Sequence, residues 1–118
     1  MRSPYIVWKR GEDKYGALQT DHPGVDQNTP FRVVAVKVRS ASSAAPDASP
    51  PIAFTPPFTF VPATGNDLAR WHIHLTRAES LTQPLGSYMI DAAIEVAGYT
   101  IITEPVFVEL EGSGVRGV

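Results

Sequence analysis

Two short runs decide the fold of this chain, WHIHL at residues 71–75 and LGSYMID at residues 85–91. In the first run apolar and polar residues alternate. This predicts a strand with Trp71, Ile73 and Leu75 on one face and both histidines on the other. The second run begins a β-prone segment that extends to about residue 110. The two runs therefore predict sheet rather than helix for this half of the chain.

The Leu-Gly-x-Tyr order at residues 85–88 resembles the tyrosine corner that begins a late strand in immunoglobulin-like sandwiches. Turn residues recur at short intervals along the chain, and no long segment shows helical periodicity. The length, 118 residues, corresponds to one domain. We therefore predict an all-β fold, a single immunoglobulin-like antiparallel β-sandwich of about seven short strands.

Period-two alternation and β-branched residues locate the individual strands. They are predicted at 5–10, 31–39, 52–61 with a break at Pro56-Pro57, 70–76, 88–96, 99–103 and 106–110. Glycine favours positive φ, so a hairpin turn is expected at Ala97-Gly98. Proline cannot donate to a ladder, so Glu104-Pro105 predicts an edge or a bulge.

The remaining segments are predicted as connections. Residues 15–30 are rich in Gly, Pro and Asn, and we expect a loop with at most a short strand, in which Asp21, His22 and Asp26 serve turn chemistry. Residues 76–85 predict a one-turn helical or 3₁₀ link held on the core by Leu81 and Leu85. A low-complexity loop at 40–51 and a Gly-rich tail at 112–118 are expected to be exposed and mobile unless a neighbour holds them.

The composition narrows the classes of function. Ten basic and twelve acidic residues, without a run of either sign, argue against binding to nucleic acid or to anionic membranes. The absence of cysteine excludes disulfides and thiolate metal sites and is consistent with folding in a reducing cytoplasm. The first residues have no apolar signal-peptide core, and no apolar run is long enough for a membrane span. We expect a soluble protein that is not exported by the standard route.

No catalytic constellation is evident. There is no Gly-x-Ser-x-Gly elbow and no phosphate-binding glycine loop before a helix, and the adjacent Glu12 and Asp13 would point apart in an extended chain. His72 and His74 share a strand face and could ligate zinc or copper, but His22 is the only other histidine. We favour a solvated sheet face as the explanation of the pair, with a protein interface as an alternative. We predict no enzymatic activity, no cofactor and no metal site.

The aromatic residues are candidates for core packing or for anchoring an interface. The residues that we expect at an interface are Trp8, Phe54, Phe58, Phe60, His72, His74 and Phe107.

The order of motifs resembles a known family. Lys9-Arg10-Gly11 ends the first strand, Trp71 to Thr76 reads Trp-x-Ile-x-Leu-Thr, and Gly86-x-Tyr88-x-x-Asp91 follows. This order is similar to that of the immunoglobulin-like structural modules of tailed bacteriophages, especially the N-terminal domain of the baseplate upper protein family. The chain differs from that pattern at Glu12, where aspartate is usual, and it lacks the Asp-Leu-Thr-Gly segment and the long receptor-proximal part.

The resemblance implies a mechanical function. The chain would be a non-enzymatic virion protein, made in the host cytoplasm, that joins copies of itself or neighbouring tail, baseplate or neck proteins in a symmetric assembly. A capsid decoration protein and a ligand- or carbohydrate-binding sandwich remain alternatives. Nucleic acid and membranes are not expected as partners.

Overall fold

The computed structural model describes residues 5–22, 24–38 and 51–113. Residues 40–50 of the predicted loop at 40–51 and residues 114–118 of the predicted tail at 112–118 lie outside these residues. Within them the chain forms nine strands and one short helix. They are β1 (Tyr5–Lys9), β2 (Lys14–Thr20), β3 (Phe31–Val38), β4 (Ile52–Phe54), β5 (Phe58–Val61), β6 (Ala69–Leu75), α1 (Arg77–Thr82), β7 (Gly86–Val96), β8 (Tyr99–Ile102) and β9 (Val106–Glu111).

The strands form two sheets that face each other. The large sheet has the order β1-β9-β7-β3-β4, with β8 also paired to β7, and the small sheet has the order β2-β6-β5. Immunoglobulin domains label their strands by letter, and one of their sheets contains the order B-E-D. The small sheet has this order when β2, β6 and β5 are matched to B, E and D. The predicted fold class is confirmed. One pair differs from the antiparallel expectation, because β1 lies parallel to β9.

The alternation in β6 and β7 sets the interior. Trp71, Ile73 and Leu75 of β6 are buried, as predicted, and β7 buries alternate residues against them. Both sheets contribute side chains to a single core. Its members are Trp8, Leu18, Val33, Ala35, Phe54, Ile73, Leu75, Tyr88, Ile90, Ala92, Val106, Val108 and Leu110.

The tyrosine corner is present at the start of β7. The Tyr88 ring is fully buried, and its hydroxyl donates a hydrogen bond to the carbonyl of Pro84. The ring packs edge-on against Phe54 with centroids 5.7 Å apart, and the Lys37 ammonium lies 5.6 Å from the Tyr88 centroid. This contact fixes the path of the chain from α1 into β7.

The β7–β8 hairpin and the interruption after it also follow the prediction. Ala97 and Gly98 have φ of 52° and 83°, as a two-residue turn of type I′ requires. Beyond β8, the Thr103 N–H donates to the Ala92 carbonyl at 3.0 Å, and the Thr103 hydroxyl accepts from the Ala92 N–H at 3.1 Å. Thr103 thereby continues the pairing with β7 across the break at Pro105. β8 pairs with the end of β7 and β9 with its beginning.

The break at Pro56-Pro57 separates two strands that belong to different sheets. β4 pairs with β3 in the large sheet, whereas β5 pairs with β6 in the small one. The proline pair therefore lies where the chain crosses from one layer to the other.

The prediction of a loop with at most a short strand over residues 15–30 was wrong in its first part, whereas residues 21–22 and 24–30 belong to no strand or helix. Residues 14–20 form β2, which pairs with the whole of β6 and buries Leu18 and Thr20. Gly16 lies inside this strand because a Cβ there would come within 3.0 Å of Ile6 Cδ1. The glycine that suggests a turn in the sequence instead allows close packing between the two sheets.

The predicted anchors of the helical link were also wrong. Leu81 and Leu85 are 38% and 48% exposed. Ser80 is the buried residue of α1, and its hydroxyl accepts from the Gly11 N–H at 2.7 Å and donates to the Arg77 carbonyl at 2.6 Å. A polar side chain can face inward here because its hydrogen bonds are satisfied by the turn after β1.

Candidate interaction surface

One apolar row crosses the full width of the large sheet on the side that faces away from the core. The strand registers place its members side by side, because each is the cross-strand neighbour of the next. In the order β1, β9, β7, β3 and β4, the apolar row consists of Tyr5, Phe107, Met89, Val36 and Ile52. We call the whole surface that contains this row the outer face.

The two ends of the apolar row are open to solvent and its middle is not. Tyr5 is 52% exposed and Ile52 is 57% exposed, whereas Phe107 and Val36 are buried. Val7 and Ile102 extend the apolar area along the strand direction on the same side, since they lie beside Glu109 and Ala93. The exposed ends of the row, Tyr5 and Ile52, are therefore the apolar part of the outer face that is open to a partner.

A half-buried carboxyl group without a hydrogen-bond donor among the described residues interrupts the outer face near its centre. Asp91 lies on β7 between the apolar row and the row of Ala93, and its cross-strand neighbour on β3 is Val34. Burial among these apolar side chains raises the pKa of the Asp91 carboxyl group. The other partly buried carboxylate of this face, Glu109, accepts a hydrogen bond from the Ser87 hydroxyl at 3.0 Å.

The histidines lie on the outer side of the small sheet, on one strand face as predicted. His74 Nε2 is 2.8 Å from Asp13 Oδ1, and the His74 ring stacks on Tyr15 with centroids 4.6 Å apart. His72 Nε2 accepts a hydrogen bond from Arg70 Nε at 3.1 Å. Each imidazole thus has its own neighbour. In residues 5–22, 24–38 and 51–113, no group of three or more His, Asp or Glu side chains is placed to hold a metal ion.

Asp13 links the turn after β1 to the start of α1. Its Oδ1 accepts a hydrogen bond from the Arg77 N–H at 3.0 Å, at the first position of the helix, and lies close to His74. The backbone hydrogen bond and then the histidine contact lower the pKa of the Asp13 carboxyl group. Asp13 therefore holds the connection between β1 and β2 against the connection between β6 and α1.

The residues expected at an interface are distributed over three environments. Trp8 and Phe54 lie in the core, where their centroids are 5.9 Å apart, so packing within one chain already explains them. Phe107 lies on the outer face. Phe58 is 44% exposed and Phe60 packs on Trp71 at 5.4 Å, beside the edge of the small sheet. The structure does not bring these aromatic residues together into one patch.

Sequence reasoning missed most of the outer face. The sequence pattern places Met89 and Asp91 on a strand at 88–96 but does not connect that strand, or the valines of β3, to Tyr5. One clue was available: Phe107 stands between Val106 and Val108, so β9 is apolar on both sides. A strand that is apolar on both sides at the surface of a two-layer fold indicates a second covered face.

The motifs at the end of the first strand have structural roles. Gly11 adopts a φ of 96° and donates to the Ser80 hydroxyl, and the Arg10 guanidinium donates to the Gln83 carbonyl at 2.7 Å. Thr76 accepts from the Glu79 N–H at 3.1 Å and caps α1. These residues close one end of the sandwich.

Comparisons with known proteins gave no relative: no family model matches the chain, and no curated protein matches it significantly. In the part of the chain that the structure describes, no helix is long and apolar enough to cross a membrane.

Proposed function

We propose that this chain is a non-enzymatic structural protein of a tailed-bacteriophage virion, which joins copies of itself or neighbouring proteins through the outer face. The apolar row is the single observation that carries the joining role. It spans all five strand positions of the large sheet and ends in exposed side chains on both sides. Covering such a surface removes apolar area from water, which is the main driving force for association.

The rigid framework below the outer face also supports this role. The strands that display Met89, Val36 and Phe107 carry core residues on their other side, so the surface is preformed and loses little entropy on binding. No described site offers a competing chemistry, since the two histidines have separate partners. A binding surface on a rigid sandwich suits a protein that holds others in fixed positions.

The motif order supports the virion as the setting. Gly86-x-Tyr88 begins a strand at a tyrosine corner, and Thr76, after Leu75, caps a helix. The residues that carry the resemblance therefore set the path of the backbone at these two points. Tail, baseplate and neck are the locations that we favour, and a capsid decoration protein is the alternative location for the same mechanical role.

The test of this proposal is detection of the chain in phage particles. Particles are purified from cells that carry the gene, and the protein is located with gold-labelled antibody. Label on the tail, baseplate or neck supports the proposal, label on the capsid surface supports the decoration role, and particles that lack the protein contradict both.

A matched pair of variants tests the surface. Ile52→Asp places a charge at the exposed end of the apolar row, whereas Leu68→Asp places one at an equally apolar residue outside it that is 43% exposed. We expect Ile52→Asp to fold but to be lost from particles, and Leu68→Asp to be incorporated normally. Equal incorporation of both variants would show that the outer face is not the surface that joins the chain to its neighbours.

A further inference from the structure

The connection from β6 to β7, which contains α1, is held to the sandwich in a different way from the strands. We call residues 76–85 the strap, and the structure describes every one of them. No apolar side chain of the strap is buried, and Leu81 and Leu85 face solvent. None of its residues takes part in a sheet ladder. Burial of apolar surface is the main source of folding stability, so the strap lacks most of what stabilises the two sheets.

Three consecutive carbonyl groups at the end of the strap each accept a hydrogen bond from a side chain outside it. The carbonyls of residues 83–85 accept, in that order, from Arg10 Nη2 at 2.7 Å, from the Tyr88 hydroxyl and from Lys37 Nζ at 2.9 Å. The three donors belong to the turn after β1, to β7 and to β3. Side chains from three parts of the fold therefore hold one short piece of backbone.

The beginning of the strap is also held by polar groups, both from the turn after β1. Asp13 Oδ1 accepts a hydrogen bond from the Arg77 N–H at 3.0 Å, and the Ser80 hydroxyl accepts one from the Gly11 N–H at 2.7 Å. Each such bond contributes little net stability, because water replaces the partner when the bond opens. The strap is therefore fixed by contacts that can be exchanged for contacts with water.

The closed position of the strap has a visible cost at Arg10. Its Nε is buried without a hydrogen-bond partner among the described residues, while its Nη2 is bonded to the strap. A buried donor without an acceptor is destabilising. Opening of the strap releases the Arg10 side chain and allows water to reach this donor, which favours the open form.

The chain on both sides of the strap can stay in place when the strap opens. Leu75 before it and Tyr88 after it are buried, and the ladders of β6 and β7 do not include it. We therefore propose that the strap opens and closes as a unit while the two sheets stay folded. In the open form the donors of Arg10, Tyr88 and Lys37 lose their carbonyl partners at this end of the sandwich. This inference goes beyond the proposed virion function and does not depend on it.

Native-state hydrogen exchange of the purified chain, followed by NMR in increasing urea, tests the strap. The Ser80 N–H bonds to the Thr76 carbonyl and the Gln83 N–H to the Glu79 carbonyl, each at 3.1 Å, so both amides report on the closed form. We expect them to exchange through an opening that urea hardly affects, because little surface becomes exposed. The Gly11 amide should follow them, because its acceptor is the Ser80 hydroxyl.

The slowest amides of β6 and β7 should instead exchange through global unfolding, with a steep dependence on urea. An equally steep dependence for the Ser80 and Gln83 amides would show that the strap unfolds only with the whole domain, and would overturn the proposal. Amides of Ser80 and Gln83 without any protection would also overturn it, because the strap would then not be closed in solution.

A core variant separates the strap from the sheets. Ile94→Val removes a methylene group from a fully buried side chain at the end of β7 away from the strap. It should speed exchange of the slowest sheet amides by roughly fivefold. The Ser80 and Gln83 amides should keep their rates, because the variant does not alter the balance between open and closed strap. If these two amides also become fivefold faster, the strap has no opening of its own.

A second pair of variants tests the contacts that close the strap. Lys37→Met removes the donor to the last strap carbonyl and should speed exchange of the Ser80 and Gln83 amides by roughly threefold. The control is Arg32→Met, which removes an exposed cation at the other end of β3, beside Ala93, and should leave both rates unchanged. Circular dichroism checks that every variant is folded. Equal strap exchange in the two variants would contradict the role of the carbonyl contacts.

Discussion

Replacing Tyr88 by phenylalanine tests the tyrosine corner, because it removes one hydroxyl group and keeps the buried ring. The ring contacts with Phe54 and Lys37 remain, so the change isolates the hydrogen bond to the Pro84 carbonyl. Loss of a partly buried hydrogen bond that leaves a carbonyl without its donor costs about 1–2 kcal/mol. For a domain of this size the melting temperature should fall by about 3–10 °C.

Urea unfolding followed by the fluorescence of the buried Trp8 and Trp71 measures this loss. The midpoint should fall while the slope of the transition is unchanged, because the buried surface is unchanged. The control is Tyr99→Phe at a side chain that is 69% exposed, which should alter stability by less than about 0.5 kcal/mol. If Tyr88→Phe is no less stable than Tyr99→Phe, the hydroxyl does not hold the corner.

The same tyrosine gives a prediction at alkaline pH. Burial raises the pKa of Tyr88 above its ordinary value of 10.0. The folded state therefore holds the phenolic proton more tightly than the unfolded chain does. This contribution to stability is fully present below pH 10.0 and is lost as pH rises through the higher pKa of the folded state. Tyr88→Phe should lack this alkaline loss.

Three further changes test other parts of the account. Gly16→Ala should destabilise the fold by about 1 kcal/mol in urea unfolding, the low end for overpacking, because the new Cβ meets the terminal methyl of the Ile6 side chain at 3.0 Å. Gly112→Ala meets nothing closer than 3.8 Å and should be neutral. The pKa of the Asp13 carboxyl group is lowered below its ordinary value of 3.8. Its ionised form therefore stabilises the fold at pH values above 3.8, and this stabilisation is lost as pH falls through the pKa of the folded state. Asp13→Asn should therefore lose less melting temperature in acid than the natural chain does. Burial raises the pKa of Asp91, so its ionised form destabilises the isolated chain at neutral pH. Asp91→Asn should therefore melt at a higher temperature than the natural chain in dilute solution at pH 7. A lower melting temperature would show that the Asp91 carboxylate already has a stabilising partner within the chain.

Local sequence patterns predicted the elements whose signals lie within a few residues. The alternation around Ile73 and Ile90, the turn at Ala97-Gly98 and the tyrosine corner each depend on neighbours in the chain, and each was confirmed. β2 was missed because Gly16, which looks like a turn residue, instead lies in a strand where Ile6 of another strand approaches it closely. That reason exists only in the folded protein.

The outer face could not be predicted in the same way. The apolar row joins Tyr5 to Phe107 across a parallel pair of strands that are far apart in sequence, and it reaches Ile52 only through the register of three more strands. Period-two alternation gives the two faces of each strand but not which strands are neighbours.

The central claim, that this domain carries its own association surface, is tested most directly by light scattering of the purified chain over a wide range of concentrations. The mass should rise from 12.8 kDa in dilute solution to twice that value, and the transition should shift to higher concentration for Ile52→Asp but not for Leu68→Asp. A mass of 12.8 kDa at every concentration would contradict self-association and leave only neighbouring proteins as partners of the outer face.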